Sequence, residues 1–401
     1  MDAIVVGGGI AGIAAAARLR ALGHGVRIVD PGPLGGLAQT LEPLPGWRIE
    51  AGPTTFLGRS RAIFALLDLL GLQREVTPLG GSARYLRRGG RLRRFPFRLA
   101  ELPGLLLGLF RRPASGPSVR DWFAARLGAS VADEVVGGLV TGIWATEAEK
   151  LEMESCFPSL FAAGSLWAAM RAPSAGKGTF TLGSGIGAIG AAAALSHVAT
   201  SVDVVERRGD RWVATTSEGA LEAEALVVAV PGWKLRGLCP WLAVPPFEYA
   251  PILGAHWLSP DAAFPRGFGY LAGPREGAAV LGTLFTSSIF PERAPAGLKA
   301  GATLLGGTRD PAAVDLSDAA VRDRIATEHR VLTGRSVTLD ALHLVRRPHA
   351  VAIPGLGHAA RLRKLAALPP RFALAGAWCG GGSMDDAARS GFAAADRVVR
   401  S

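Results

Sequence analysis

The 401-residue sequence predicts an α/β protein built around a dinucleotide-binding sheet of Rossmann type. Three observations carry that expectation. The chain opens on an apolar run, a glycine turn and a small-residue stretch, "AIVVGGGIAGIAAAARL" (3–19). A second strand-like run, Gly25–Val29, follows and ends in Asp30. The same grammar returns at the far end as "RFALAGAWCGGGSMDDAARSGFAAADRVV" (371–399).

Bulk properties narrow the class. Hydrophobic residues make up 49% of the chain. No stretch reaches the roughly 18–20 uninterrupted apolar residues that a spanning helix needs; "LPGLLLGLF" (102–110) is the nearest. "MDAIVVGGG" runs straight into a strand, so no secretory leader is expected. Cys156, Cys239 and Cys379 are widely spaced and odd in number, which suits a reducing, cytoplasmic setting without a structural metal. The seven histidines show no ligand spacing. Net charge is +11, and five of the 44 basic residues are lysine. No nucleic-acid module and no aromatic-studded basic stripe accompanies that charge, so nucleic acid is not an expected partner. Most of it reads as a solvated, arginine-biased surface. The exception is "RRGGRLRRFPFR" (87–98), with six arginines directly before 102–110. That juxtaposition suits peripheral contact with an anionic membrane surface, or a core helix with a solvated arginine side.

Taken in order, Ala3–Val6 reads as a buried strand. Gly7, Gly9 and Gly12 then fit G-x-G-x-x-G, with Ile10 and Ala11 opening the helix. One glycine makes the tight turn, the next admits the pyrophosphate, and the third lets helix and strand pack closely. The helix N-terminus offers free N–H groups and a positive dipole end to the phosphates. Asp30 follows Gly12 by 18 residues and is placed to accept from a ribose diol. An NAD enzyme would continue with strand–helix repeats. Here a second glycine pair, Gly35-Gly36, and a turn, Gly52-Pro53-Thr54-Thr55, follow instead.

These motifs resemble the FAD-binding half of the amine oxidase and protoporphyrinogen oxidase superfamily. Leu37 stands where an arginine is usual, a departure that removes one polar contact to the cofactor. The resemblance implies non-covalent FAD and a discontinuous Rossmann-like domain made of 1–60, 178–235 and 366–401. It implies a mixed-sheet substrate domain from 61–86 and 236–365, and a mainly helical insertion, 87–177. "TFTLGSGIGAIGAAAA" (179–194) then reads as a returning glycine turn and helix. "SVDVVERRGDRWVATT" (201–216) reads as a hairpin with a Gly-Asp turn. Val202 at its start matches the family position beside the adenine. Ala377, Gly382, Ser383 and Met384 match the flavin-side turn, whose helix points at the pyrimidine edge. A positive helix end there favours the anionic reduced flavin by ~0.3–2 kcal/mol. Asp385 and Asp386 fit the usual preference for acids in a first helical turn.

Further stretches narrow the resemblance to the protoporphyrinogen/coproporphyrinogen oxidases. They are "TGIWATEAEKLEMESCFPSLF" (141–161), "GFGYLAGPREGAAVLGTLFTSSIFPERAPAG" (267–297), "LLGGTRDP" (304–311) and "AIPGLGH" (352–358). The match spans essentially the whole chain in order, although the chain is shorter than most members. It implies three two-electron oxidations of a porphyrinogen at the flavin, with oxygen reduced to hydrogen peroxide. It also implies a substrate slot in which the Gly142 carbonyl accepts from pyrrole N–H groups while Phe268, Leu271 and Leu304 sandwich the macrocycle. A propionate needs an arginine, and Arg98 is the nearest match, at an altered spacing. Trp122, Trp144 and Trp167 are expected in the core of the insertion. The altered segments 354–356 and 382–384 leave two other readings open, a different flavin oxidase or desaturase and a non-catalytic tetrapyrrole- or FAD-binding relative. Protoporphyrinogen against coproporphyrinogen, and monomer against homodimer, stay open as well.

Overall fold

The computed structural model describes residues 1–400 except 81–82, 95–96, 172–175 and 366. Its central sheet is built from β1 (Asp2–Val6), β2 (Gly25–Val29), β3 (Ser196–Val198), β4 (Ala225–Val228) and β5 (Phe372–Leu374), with helix α1 (Ile10–Ala21) after β1 and helix α2 (Met384–Arg400) after β5. The strands lie in the order β3-β2-β1-β4-β5, all parallel. A parallel sheet is covered on both faces, so its strands read as unbroken apolar runs. Ile4, Val5 and every residue of β4 are indeed fully buried. Strand order reverses at β1, and the crevice beyond the carboxyl ends there is where such folds bind ligands.

Helices α1 and α2 pack directly on one another. Their shared face is made of Ala14, Ala15, Ala388 and Ala395, all fully buried, and a Cβ on Gly391 would collide with the Ala11 carbonyl. Small residues bring the two axes close, so both glycine-run helix starts open on the same crevice.

The hairpin expected at 201–216 forms from Val202–Arg208 and Arg211–Thr216, turning at Gly209 with φ +61°. A third strand, Gly219–Ala223, extends it. The glycine turn and helix expected over 179–194 form, the strand before them lying outside the central sheet. That strand, Thr179–Leu182, pairs antiparallel with Phe56–Leu57 and Val76–Leu79, and a short helix, Ala188–Ala192, follows.

A second sheet has seven strands, in the order Ala341–Ile353, Glu248–Ser259, Lys299–Gly306, Gly282–Leu284, Gly269–Ala272, Arg84–Arg88 and Arg91–Arg93. It is mixed, because Gly269–Ala272 runs parallel to Arg84–Arg88 while the other pairs are antiparallel. Residues 87–93, read from sequence as the start of the helical insertion, are instead the end and edge of this sheet. The cause is local: Gly89 and Gly90 have φ of +63° and +70°, the two-residue geometry that folds a strand back on itself.

The helical part follows, with Val119–Leu127 and Gly137–Trp144 packed around Trp122, Trp144 and Met153. Trp122 and Trp144 are core residues as expected. Trp167 is not: it is 41% exposed and rests its ring on Phe110 at 5.0 Å. No helix among the described residues is long and apolar enough to cross a membrane.

Candidate functional site

Each glycine of the first motif has a separate steric reason. Gly7 turns at φ +106°, and a Cβ there would press on Ala229 at the end of β4. Gly9 faces open space, with nothing within 4 Å of an added Cβ. Gly12 lies so close to the Gly7 carbonyl that no side chain fits. No side chain caps α1, and its ladder starts with Ile13 N–H donating to Gly9 O at 2.9 Å. Among the described residues the N–H groups of Ile10, Ala11 and Gly12 have no partner and are free to meet an anion.

Asp30 stands beside this opening. Its Oδ2 accepts from Gly8 N–H at 2.7 Å and its Oδ1 from Gly32 N–H at 2.8 Å. Two backbone donors fix the carboxylate, and each oxygen keeps a lone pair for a ribose hydroxyl. Gly35 and Gly36 (φ +114° and +60°) bring the next loop onto Gly9, where Gly35 N–H donates to Gly8 O at 2.8 Å. The Leu37 side chain is 42% exposed, and its carbonyl lies where a Cβ on Gly52 would stand. That contact joins the glycine pair to the Pro53-Thr54-Thr55 turn, which Thr181 Oγ1 pins by donating to Thr54 O at 3.0 Å. Val202 lies with Val29 and Val198 in one apolar cluster.

At the other end of the crevice, the N–H groups of Gly380 and Gly382 both donate to Ala377 O, at 3.1 and 3.2 Å. Ser383 caps α2 reciprocally with Asp386: Asp386 N–H donates to Ser383 Oγ at 3.1 Å and Ser383 N–H to Asp386 Oδ2 at 3.0 Å. Asp385 turns away and caps the neighbouring helix Arg61–Leu69, accepting from Ala62 and Ile63 N–H at 2.8 and 3.1 Å. Both acids therefore have structural work. The N–H groups of Met384 and Asp385, in the first turn of α2, have no partner among the described residues. A row of free donors at one end, a fixed carboxylate beside it and a second helix start opposite form a cradle that fits FAD.

The slot residues come from the second sheet and the helix above it. Leu271, Gly282 and Leu304 are cross-strand neighbours in one row, so they share a face, and Leu271 leans over the glycine, where an added Cβ would stand 3.2 Å from its Cδ2. Gly142 sits on Leu271 so closely that no side chain fits between them. It lies in the last turn of Gly137–Trp144. The chain leaves that helix in a left-handed step at Ala145 (φ 53°), and Ala145 N–H donates to Thr141 O. The Gly142 carbonyl is left without a partner among the described residues. Phe268 carries a guanidinium over its ring, that of Arg84, at 4.8 Å.

Arg98 is placed differently from that group. Its guanidinium pairs with Glu134 at 3.0 Å, inside a network in which Arg88 also holds Glu134 and Glu101. Arg88 beside it holds the Glu101 carboxyl down to about 2. Pro96, against which the Arg98 spacing is judged, lies outside the described residues. Arg84 was not singled out by sequence. It donates to Thr179 Oγ1 at 2.6 Å and has no carboxylate partner among the described residues. The available signal was strand parity, since Arg84 precedes Leu86 by two and Leu86 pairs with Leu271.

His358 is a structural histidine. Its Nε2 bonds the Trp378 carbonyl at 2.8 Å, and burial lowers its pKa. No metal-holding group of His, Cys, Asp or Glu occurs among the described residues.

The model of the flavin-containing amine oxidoreductases matches residues 10–399. The chloroplastic protoporphyrinogen oxidase of rice (Oryza sativa subsp. japonica) is 26% identical over 428 residues, covering 89% of this chain and 79% of that one. The human protoporphyrinogen oxidase is 28% identical over 372 residues, covering 76% and 77%. The crystal structure of a candidate protoporphyrinogen oxidase from Exiguobacterium sp. 255-15 superimposes with a TM-score of 0.84 at 19% identity, covering 98% of both chains. Matched by the family model over nearly its whole length, the chain belongs to the flavin-containing amine oxidoreductases and takes FAD as its cofactor.

Proposed function

We propose that the chain oxidises a porphyrinogen carrying carboxylate side chains, of the protoporphyrinogen or coproporphyrinogen type, to the porphyrin, with oxygen as final acceptor. The observation that carries this reading is the apolar row Leu271–Gly282–Leu304 beside a Gly142 carbonyl that has no partner among the described residues, with Arg84 on the neighbouring strand of the same sheet. A flat apolar macrocycle needs a flat apolar floor with few polar groups. Its pyrrole N–H groups need an acceptor, which the Gly142 carbonyl supplies. Its carboxylate needs a planar donor fork, and Arg84 has no carboxylate among the described residues to satisfy it. Likeness to protoporphyrinogen oxidases over most of the chain supports the same reading.

FAD held by Gly7–Gly12, Asp30 and the 382–384 turn would supply the hydride acceptor, with oxygen as the final oxidant. The protein's share is geometric. The leucines exclude water and hold the ring plane, Gly142 holds the pyrrole edge, and Arg84 sets which edge enters.

Anaerobic mixing with either porphyrinogen should bleach the flavin, and air should restore it with release of fluorescent porphyrin and peroxide. Arg84→Met should raise KM about 10–100-fold, the range for a lost hydrogen bond to a charged group, while leaving the flavin spectrum intact. If neither porphyrinogen bleaches the flavin faster than the solution background, the reading fails.

A further inference from the structure

We infer that Trp144 is a positioning residue, through which the helix carrying Gly142 sets the flavin-edge turn at 380–383. The indole is 3% exposed and packs edge-on against Phe157 at 5.4 Å. Its Nε1–H donates to the Gly381 carbonyl at 2.6 Å. Among the described residues, every other hydrogen bond of that turn is made within the terminal segment, to Ala377, Asp386 or Ala387. Among the described residues, Trp144 is the one hydrogen-bonding bridge from the insertion to the turn.

Steric contact reinforces the bond. Gly382 turns at φ +93°, and a Cβ there would stand 3.3 Å from Trp144 Nε1. A Cβ on Gly381 would stand 3.5 Å from the Ser155 carbonyl. The turn is therefore seated against the insertion. The other end of the link is equally fixed: Thr308 N–H, from the second sheet, donates to the Ala145 carbonyl at 2.9 Å. A displacement of Gly142 when a ligand seats reaches Trp144 within two residues of helix. It passes through one short hydrogen bond to the turn that opens α2 and aims the Met384 and Asp385 N–H groups. A core tryptophan needs only its ring. Here the N–H acts too.

The flavin half of this inference stands on the family alone; the ligand half rests on the porphyrinogen reading above. Two replacements remove the donor: Trp144→Phe, and exchange of the indole for benzothiophene, which keeps the outline and lacks the N–H. Trp122→Phe, in the same cluster against Phe123, is the control. Titrating apoprotein with FAD should show about three- to tenfold weaker binding for both Trp144 replacements, as one lost neutral hydrogen bond implies, with a shifted flavin absorbance band. Trp122→Phe should lower the thermal midpoint and leave the band unchanged. Protoporphyrin IX added to wild-type holoprotein should perturb the flavin band, and the benzothiophene protein should bind it with that perturbation lost. Wild-type FAD affinity and an unshifted band in the benzothiophene protein would overturn the inference. Failure of the wild type to bind the porphyrin would count against the porphyrinogen reading, and the FAD titration would still decide the role of Trp144.

Discussion

Glu50 and Arg293 form an ion pair at 2.7 Å with side chains only 2% and 1% exposed. Burial raises the Glu50 pKa, and the Arg293 charge pulls it back down. The carboxylate is further held by the Thr40 hydroxyl at 2.8 Å and Ile186 N–H at 3.3 Å. Arg293 lies over the Phe290 ring at 4.1 Å. Removing one partner strands a buried charge, so Arg293→Met should cost about 3–5 kcal/mol in urea unfolding. Glu50→Gln combined with Arg293→Met should recover a substantial part of that loss. Equal instability of single and double variants would show that packing, and not charge, is what Arg293 supplies. This pair could not be read from sequence, because its members stand 243 positions apart. The glycines of 7–12 could, because a turn or a helix–strand approach imposes its demand within a few residues. Arg98 and Arg84 show the same divide: Glu134 balances the first, and no spacing reveals that.

Among the elements, α1, β2 and the 202–216 hairpin were legible because periodicity, glycine turns and a terminal acid agree locally. The end of the second sheet was not, since the arginines of 87–98 read as the start of the helical insertion, facing a membrane or solvent. In fact Arg87 and Arg88 are buried in ion pairs with Glu276, Glu328, Glu101 and Glu134. The apolar run after them folds into the helix Leu102–Gly108. Leu105 packs toward Leu86 and Val131, whereas Leu99, Leu106, Leu107 and Phe110 are 60–85% exposed. Arg98, Arg111 and Arg112, close to either end of that helix in the chain, are exposed, as are Arg91, Arg93 and Arg94 before it. We propose that this face rests on an anionic membrane, with leucines in the acyl boundary and arginines at the headgroups. Vesicles rich in anionic lipid should pellet the wild type at low salt and release Leu106→Glu/Leu107→Glu protein that still binds FAD. Equal pelleting of the two, or no pelleting of either, removes the proposal.

At the scale of the molecule, the cradle is assembled from distant pieces of chain. Gly7–Gly12, Asp30, Gly35–Gly36, Gly52–Thr55 and Gly382–Met384 meet only because β1 and β5 share one sheet, with β4 between them, and α2 packs on α1. The two glycine runs announced that meeting. Its route, through a second sheet and a helical insertion, was not visible in local pattern and came from resemblance. A ligand that bridges the pieces must stabilise the whole. It binds the folded chain and not the unfolded one, so stability rises by RT ln(1 + [FAD]/Kd), about 2.7 kcal/mol at a hundredfold excess over Kd. We expect the association to be non-covalent. Cys379, the cysteine nearest the turn, lines the outer flank of α2 with Arg389 and Arg397, on the side away from α1. Acid precipitation should therefore release all the yellow colour. Apoprotein should unfold at lower temperature than holoprotein, and titrated FAD should raise the midpoint continuously with concentration. Colour retained in the acid pellet would refute the non-covalent assignment. A midpoint indifferent to FAD would mean that these segments do not close on the cofactor together.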